Sequence, residues 1–268
     1  NKLELESLIN QGQANQGTWL NTQGFTNTAS SNYWSSTTSA WSPTTSAYDS
    51  TSAWYVSFYT GDVAWDGNKS GSSYSVRCVR DGQTGSFDLS VASLIKTGQT
   101  TSYAAGDDGD LQKGLAWPVP RFVEEEPQTI TDKLTGLIWQ KDGSAPAVGS
   151  CTGGQKTWQG ALDYVACLNT NGYLGHNDWR MPNRRELQTL AHAGQAGIGP
   201  WLDSQGFANT QLSAVYWSSG INAYWTSAAW YMYFSNGGVL GSVSITAPCY
   251  LRAVRGGQSG SFGASARA

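Results

Sequence analysis

Charge is scarce in this chain. Only 13% of its 268 residues are charged, and 16 Lys and Arg stand against 19 Asp and Glu for a net −3. That balance offers no electrostatic footprint for nucleic acid. Long apolar runs are also missing, and no stretch reaches the ~18 residues of a membrane-spanning helix. No signal-peptide pattern sits at residue 1, so a leader is expected upstream or already removed. Histidine occurs twice, at His176 and His192, too far apart and too few for a zinc site. The cysteines Cys78, Cys151, Cys167 and Cys249 form no C-x-x-C. They read either as disulfide partners in an oxidising compartment or as buried thiols. A nucleophile elbow and a Ser-His-Asp set are absent, which argues against acyl-transfer catalysis.

Aromatics and glycine are plentiful, with 13 Trp and 32 Gly. Such a chain holds too many rings to be disordered and reads as loop-rich with an aromatic core. Internal similarity then organises it. "TWLNTQGFTNT" at 18–28 matches "PWLDSQGFANT" at 200–210, and "YWSS" at 33–36 recurs at 216–219. "AWYVSFYTGDV" at 53–63 answers "AWYMYFSNGGV" at 229–239, and "VRCVRDGQTGSF" at 76–87 answers "LRAVRGGQSGSF" at 251–262. Residues 92–182 have no earlier counterpart. The second unit therefore spans 92–268 in full, while 1–91 is the C-terminal half of such a unit. Its other half is expected upstream or from another molecule.

Local signals predict the elements. Trp158, Ala161, Leu162, Val165 and Leu168 share one face of a helix over 157–168. Asn183 and Glu186 form a capping-box pattern that Asn1 and Glu4 repeat, predicting a short helix in each unit. "GLIWQ", "AWYMYF" and "YLRAVR" read as strands. Alternation in the second puts Trp230, Met232 and Phe234 on one face and Tyr231 and Tyr233 on the other. Short helices, short strands and long loops give an α+β fold.

"TGLIWQKD", "TWQGALDYVACLN", "GYLGHNDWRMPNRRELQTL", "YWSS" and "LRAVRGG" together resemble the Lcl C-terminal domain family of bacterial surface proteins, first named from a collagen-like adhesin. The resemblance covers 92–262 and, at half length, 1–87. It implies a C-type-lectin-like fold, akin also to the formylglycine-generating enzymes, with a binding face built from loops. Fold alone does not fix function. It also implies a bacterial extracellular or cell-surface location, and sulfated-glycan binding in some members.

Binding is the leading expectation, through the loops at 37–52 and 220–228, which differ most between the units. Their Trp41, Tyr48, Asn222, Tyr224 and Trp225 mix flat rings with small polar groups, suited to a glycan or a cell-surface protein. A polyanion would need a local cluster, for which Arg121, Arg180, Arg184 and Arg185 are the candidates. The alternative is that Arg180 or Arg252 pairs with Asp178 or Glu186 and pins strand to helix. Asp107, Asp108 and Asp110 are a weak calcium candidate lacking the distal ligands of an EF-hand, and otherwise a solvated turn. No cofactor is expected. An enzyme of the formylglycine-generating type is disfavoured because no close cysteine pair lies in the closing segment. A structural subunit of a filament or stalk, assembled from copies of the chain, remains the third reading. Cys151–Cys167, Cys167–Cys249 and a Cys78 partner in the absent half or at Cys249 all stay open.

Overall fold

The computed structural model describes residues 1–40, 50–79 and 94–256. In the first unit a short helix α1 (Lys2–Glu6) and α2 (Gln16–Thr22) precede a three-stranded meander, β1 (Asn32–Thr38), β2 (Ser52–Ser57) and β3 (Val63–Asn68). A turn of helix, α3 (Asp108–Leu111), leads to β4 (Phe122–Val123), β5 (Thr129–Asp132) and β6 (Leu137–Gln140). Helices α4 (Trp158–Thr170), α5 (Arg184–Thr189) and α6 (Ile198–Ser204) follow. The chain closes with a second meander, β7 (Val215–Ile221), β8 (Ala228–Tyr233) and β9 (Val239–Ser244), and with β10 (Val254–Gly256). The class is α+β, as its motifs imply.

Local chemistry explains the helix starts. Asn1 and Asn183 each accept from the backbone three residues on, while Glu4 and Glu186 return to the cap nitrogen, so both capping boxes form. Thr157 caps α4, whose Ala161, Tyr164, Val165 and Leu168 are buried. "GLIWQ" forms β6 and "AWYMYF" forms β8. Only the end of "YLRAVR" is strand; Tyr250 instead makes an isolated bridge with Tyr216 and backbone bonds to Val215 and Trp217.

The two meanders share their pairing. Tyr33 lies opposite Val56 and Trp34 opposite Tyr55, as Tyr216 lies opposite Met232 and Trp217 opposite Tyr231. Both hairpins shift register after the tryptophan. Finer contacts recur as well. Arg77 donates to Thr28 and lies over Phe25, as Arg252 donates to Thr210 and lies over Phe207. Gly17 and Gly199 each donate to the carbonyl of the phenylalanine that follows the second strand of its meander, Phe58 or Phe234.

The meanders then join into one sheet of order β1-β2-β3-β9-β8-β7. The seam pairs Val63 with Val239. These are equivalent residues of the two repeats, so the units meet across a pseudo-two-fold axis, as in a self-complementary dimer interface. One face of the sheet covers a core common to both units, holding Leu5, Trp54 and Val56 beside Leu187, Trp230 and Met232. On the other face of the second meander, Tyr231 packs with Ala161, Val165 and Leu168 of α4 in a separate core. The alternation in β8 thus holds, with both faces buried. The smaller sheet, β10-β6-β5-β4, belongs to the second unit.

Burial also tunes one titration. His192 is edge-on to Trp117 and Trp201, and Gly194 N–H donates to its Nδ1. Burial, then the charges of Arg121 and Lys2, push its pKa down to about 4. Between that value and the ordinary 6.5 the unfolded chain binds the extra proton, so stability rises with pH there. Lowering the pH from 6.5 to 4 should cost about 3 kcal/mol that His192→Gln does not lose, read from urea midpoints across pH.

Candidate binding tip

The loop between β7 and β8 stands out from the sheet, and its shape follows from one amide. Asn222 is buried; its Oδ1 accepts from Tyr224 N–H at 2.8 Å and Trp225 N–H at 3.3 Å. Its Nδ2 donates to the Gly241 carbonyl at 2.8 Å. Only glycine suits position 241, since a Cβ there would sit 2.2 Å from that nitrogen. Asn222 therefore shapes the loop from within and does not face a ligand, correcting its assignment among contacting residues. Tyr224 and Trp225 do face out, 36% and 41% exposed, with their rings edge to face at 4.9 Å.

A third ring joins them from the other unit. Tyr59, in the turn after β2, is 40% exposed and lies 5.0 Å from Tyr224 between ring centroids, with the two hydroxyls hydrogen-bonded. That shared hydrogen bond raises the Tyr59 phenol above its ordinary pKa. The placement is built into the sheet seam. Asp62 accepts from Gly241 N–H at 2.9 Å, so one residue of β9 ties the Tyr59 turn and the Asn222 loop together. Tyr59 escaped sequence reasoning, although the repeat marks it: it follows Phe58 where Ser235 follows Phe234. Trp41 and Tyr48 lie outside the described residues.

The four arginines do not form an anion site. Arg121 is buried, donating to both Asp132 oxygens at 2.9 and 2.8 Å and to the Thr189 carbonyl, between Trp117 and Phe122. Arg184 is buried over Trp230, donating to Glu6 and the Gly61 carbonyl. Arg180 grips Glu186 with two 2.7 Å bonds, and Arg185 donates to the Ile9 carbonyl. The Arg180–Glu186 pair is the strand-to-helix pinning weighed against the anion reading, and the other three make contacts of their own. Arg252 is likewise buried, on the Gln140 and Lys141 carbonyls, while Arg255 takes Asp178.

The acidic run is similarly used up. Asp107 caps α3 and accepts from Tyr103 and Ala104 N–H, Asp108 accepts from Thr37 and Thr97, and Asp110 accepts from Gly106 N–H. No group of three metal-binding side chains forms among the described residues, so the calcium candidate has no converging ligand set. Cys151 and Cys167 form a disulfide that ties the 150s loop to α4. Cys249 is buried and free, and Cys78 is exposed and free. Burial pushes the Cys249 thiol up to about 12, leaving it protonated and inert at neutral pH. No helix among the described residues is long and apolar enough to cross a membrane.

No match was found among curated proteins. The model of the Lcl C-terminal domain matches residues 1–80 and 128–255, two segments that correspond to roughly one and a half copies. With the repeated meanders, paired capping boxes and recurring arginine contacts, that match places the chain in the Lcl C-terminal domain family.

Proposed function

We propose that the protein is a non-enzymatic, adhesin-type binding module that works outside the bacterial cell and contacts a neutral glycan or a surface protein through its aromatic tip. In this reading 1–91 is a half unit and 92–268 a complete one, joined to present one composite surface. The observation that carries it is the exposed trio of Tyr59, Tyr224 and Trp225, held out by a buried amide and tied to both units. Exposed rings on a rigid base supply contact area at low entropic cost and stack well on sugar faces. The Cys151–Cys167 disulfide is in keeping with an oxidising location.

Substituting Tyr224→Ala together with Trp225→Ala should abolish adhesion in a glycan-array or cell-attachment assay while leaving the Tm unchanged. Intact adhesion would refute the assignment. Binding should also persist at moderate salt, because the arginines are already paired and few charges remain to be screened. A steep loss with salt would point instead to ionic recognition.

A further inference from the structure

The closing segment of the second unit is sealed, whereas that of the first is open. Leu251, Ala253 and Val254 are at most 1% exposed, yet their equivalents Val76 and Val79 are each 69% exposed and Cys78 is exposed too. Trp217 is fully buried, while its equivalent Trp34 is only half-buried. What seals the second unit is its own N-terminal half. Strand β6 pairs with β10, α4 covers Tyr231 and Leu251, and Trp179 and Met181 fill the remainder.

Beside the open face lies a cleft of about 330 Å³ lined by Asn1, Glu4, Ser36, Val79, Asp108 and Leu111, among others. The repeat identifies its counterpart. Asn1, Glu4, Ser36 and Val79 correspond to Asn183, Glu186, Ser219 and Val254. In the second unit those residues hold the segment Arg180–Pro182. Arg180 exchanges backbone hydrogen bonds with Val254 at 2.8 and 3.0 Å, and its guanidinium takes Glu186. Ser219 N–H donates to the Pro182 carbonyl at 2.8 Å.

We infer that the open face and cleft are a docking site for a half-unit of the 122–182 type. An extended Arg-x-Pro segment fills the cleft, with its guanidinium on Glu4 and its backbone on Val79. An apolar strand like "GLIWQ" and a helix like α4 cover Val76, Cys78 and Trp34. The occupant follows from the repeat, because Arg180–Pro182, β6 and α4 fill the equivalent face of the second unit. A second copy of this chain is a poorer occupant, since its own half-unit is spent on its second repeat. The inference does not depend on the aromatic tip.

Cys78 is the built-in reporter. Residues 122–182 are repeated ahead of Asn1, and the labelling rate of Cys78 by a disulfide thiol reagent is compared with that of the original chain, with buried Cys249 as the slow reference. The expected result is rapid labelling in the original chain and a fall of roughly tenfold or more in the fusion. Glu4→Ala in the fusion should restore part of the rate. An unchanged rate in a folded fusion overturns the inference, as does a Cys78 already unreactive in the original chain. If the fusion does not fold, a synthetic peptide of residues 134–182 is added to the original chain at millimolar concentration; protection of Cys78 supports the site and unaltered labelling overturns it.

Discussion

Glu6→Ala should lower the unfolding free energy by about 3–5 kcal/mol, a large part of the stability of an ordinary domain. Glu6 lies on α1 and Arg184 on α5, and their 3.0 Å pair is buried on both sides. Burial pulls the Arg184 pKa down and Glu6 opposes that shift, so removing the carboxylate leaves a buried charge with the Gly61 carbonyl, the Trp230 ring and the Asp62 charge but no hydrogen-bonded carboxylate. Urea denaturation of the two chains reads the difference directly, and a loss under 1 kcal/mol would contradict it.

The pseudo-two-fold supplies a control. The positions equivalent to Arg184 and Glu6 are Lys2 and Gln188, and both are buried. Lys2 lies over Trp54, 3.6 Å from the ring centroid, as Arg184 lies over Trp230. Neither Lys2 Nζ nor the Gln188 amide has a hydrogen-bond partner among the described residues. Burial pushes Lys2 down to about 8. One side of the axis therefore carries a hydrogen-bonded ion pair, and the other a cation over an aromatic face that feels the charges of Glu6 and Asp108 without a direct hydrogen bond. Replacing Lys2 by methionine should be far milder than Glu6→Ala, because it removes a buried charge that makes no hydrogen bond, while Glu6 and Asp108 keep their own hydrogen-bond partners.

Much of the framework was legible in the sequence because it is decided locally. A capping box needs four consecutive residues, and the alternation in β8 needs five, so Asn1, Asn183, Trp230 and Met232 all fell where their patterns place them. The repeat likewise announced that the two units share one scaffold, which the matching registers of the two meanders bear out. The seam between them was not legible. Val63 opposite Val239 is a pairing across 176 positions, and a strand edge does not encode its neighbour.

The same limit governed the site. Tyr224 and Trp225 were readable as exposed loop residues because their loop differs between the repeats. Asn222 looked like a contact residue, since its type says nothing about whether its amide turns inward to Gly241. Tyr59 was invisible as a partner because its place beside Tyr224 exists only once the seam has formed. The arginines showed the converse: spacing clustered them in sequence, whereas Asp132, Glu186 and Glu6 draw them into separate pairs.

Because the tip is composite, a residue of the first unit should matter to binding as much as those of the second. Central aromatic contacts commonly contribute about 2 kcal/mol, or roughly thirtyfold in affinity, when truncated. Tyr59 packs edge-on against Tyr224, the ring that lies between it and Trp225, and the two share a hydroxyl hydrogen bond, so its loss removes a ring and frees its neighbour.

The decisive measurement is the affinity of a Tyr59→Ala chain for whatever ligand the intact chain captures on a glycan or surface-protein array, taken with its Tm. Two repeats that grip one partner through a single joint surface predict a thirtyfold weaker complex and an unshifted melting curve. Full affinity without that ring would mean that the repeats do not act together, and the composite surface would have to be abandoned.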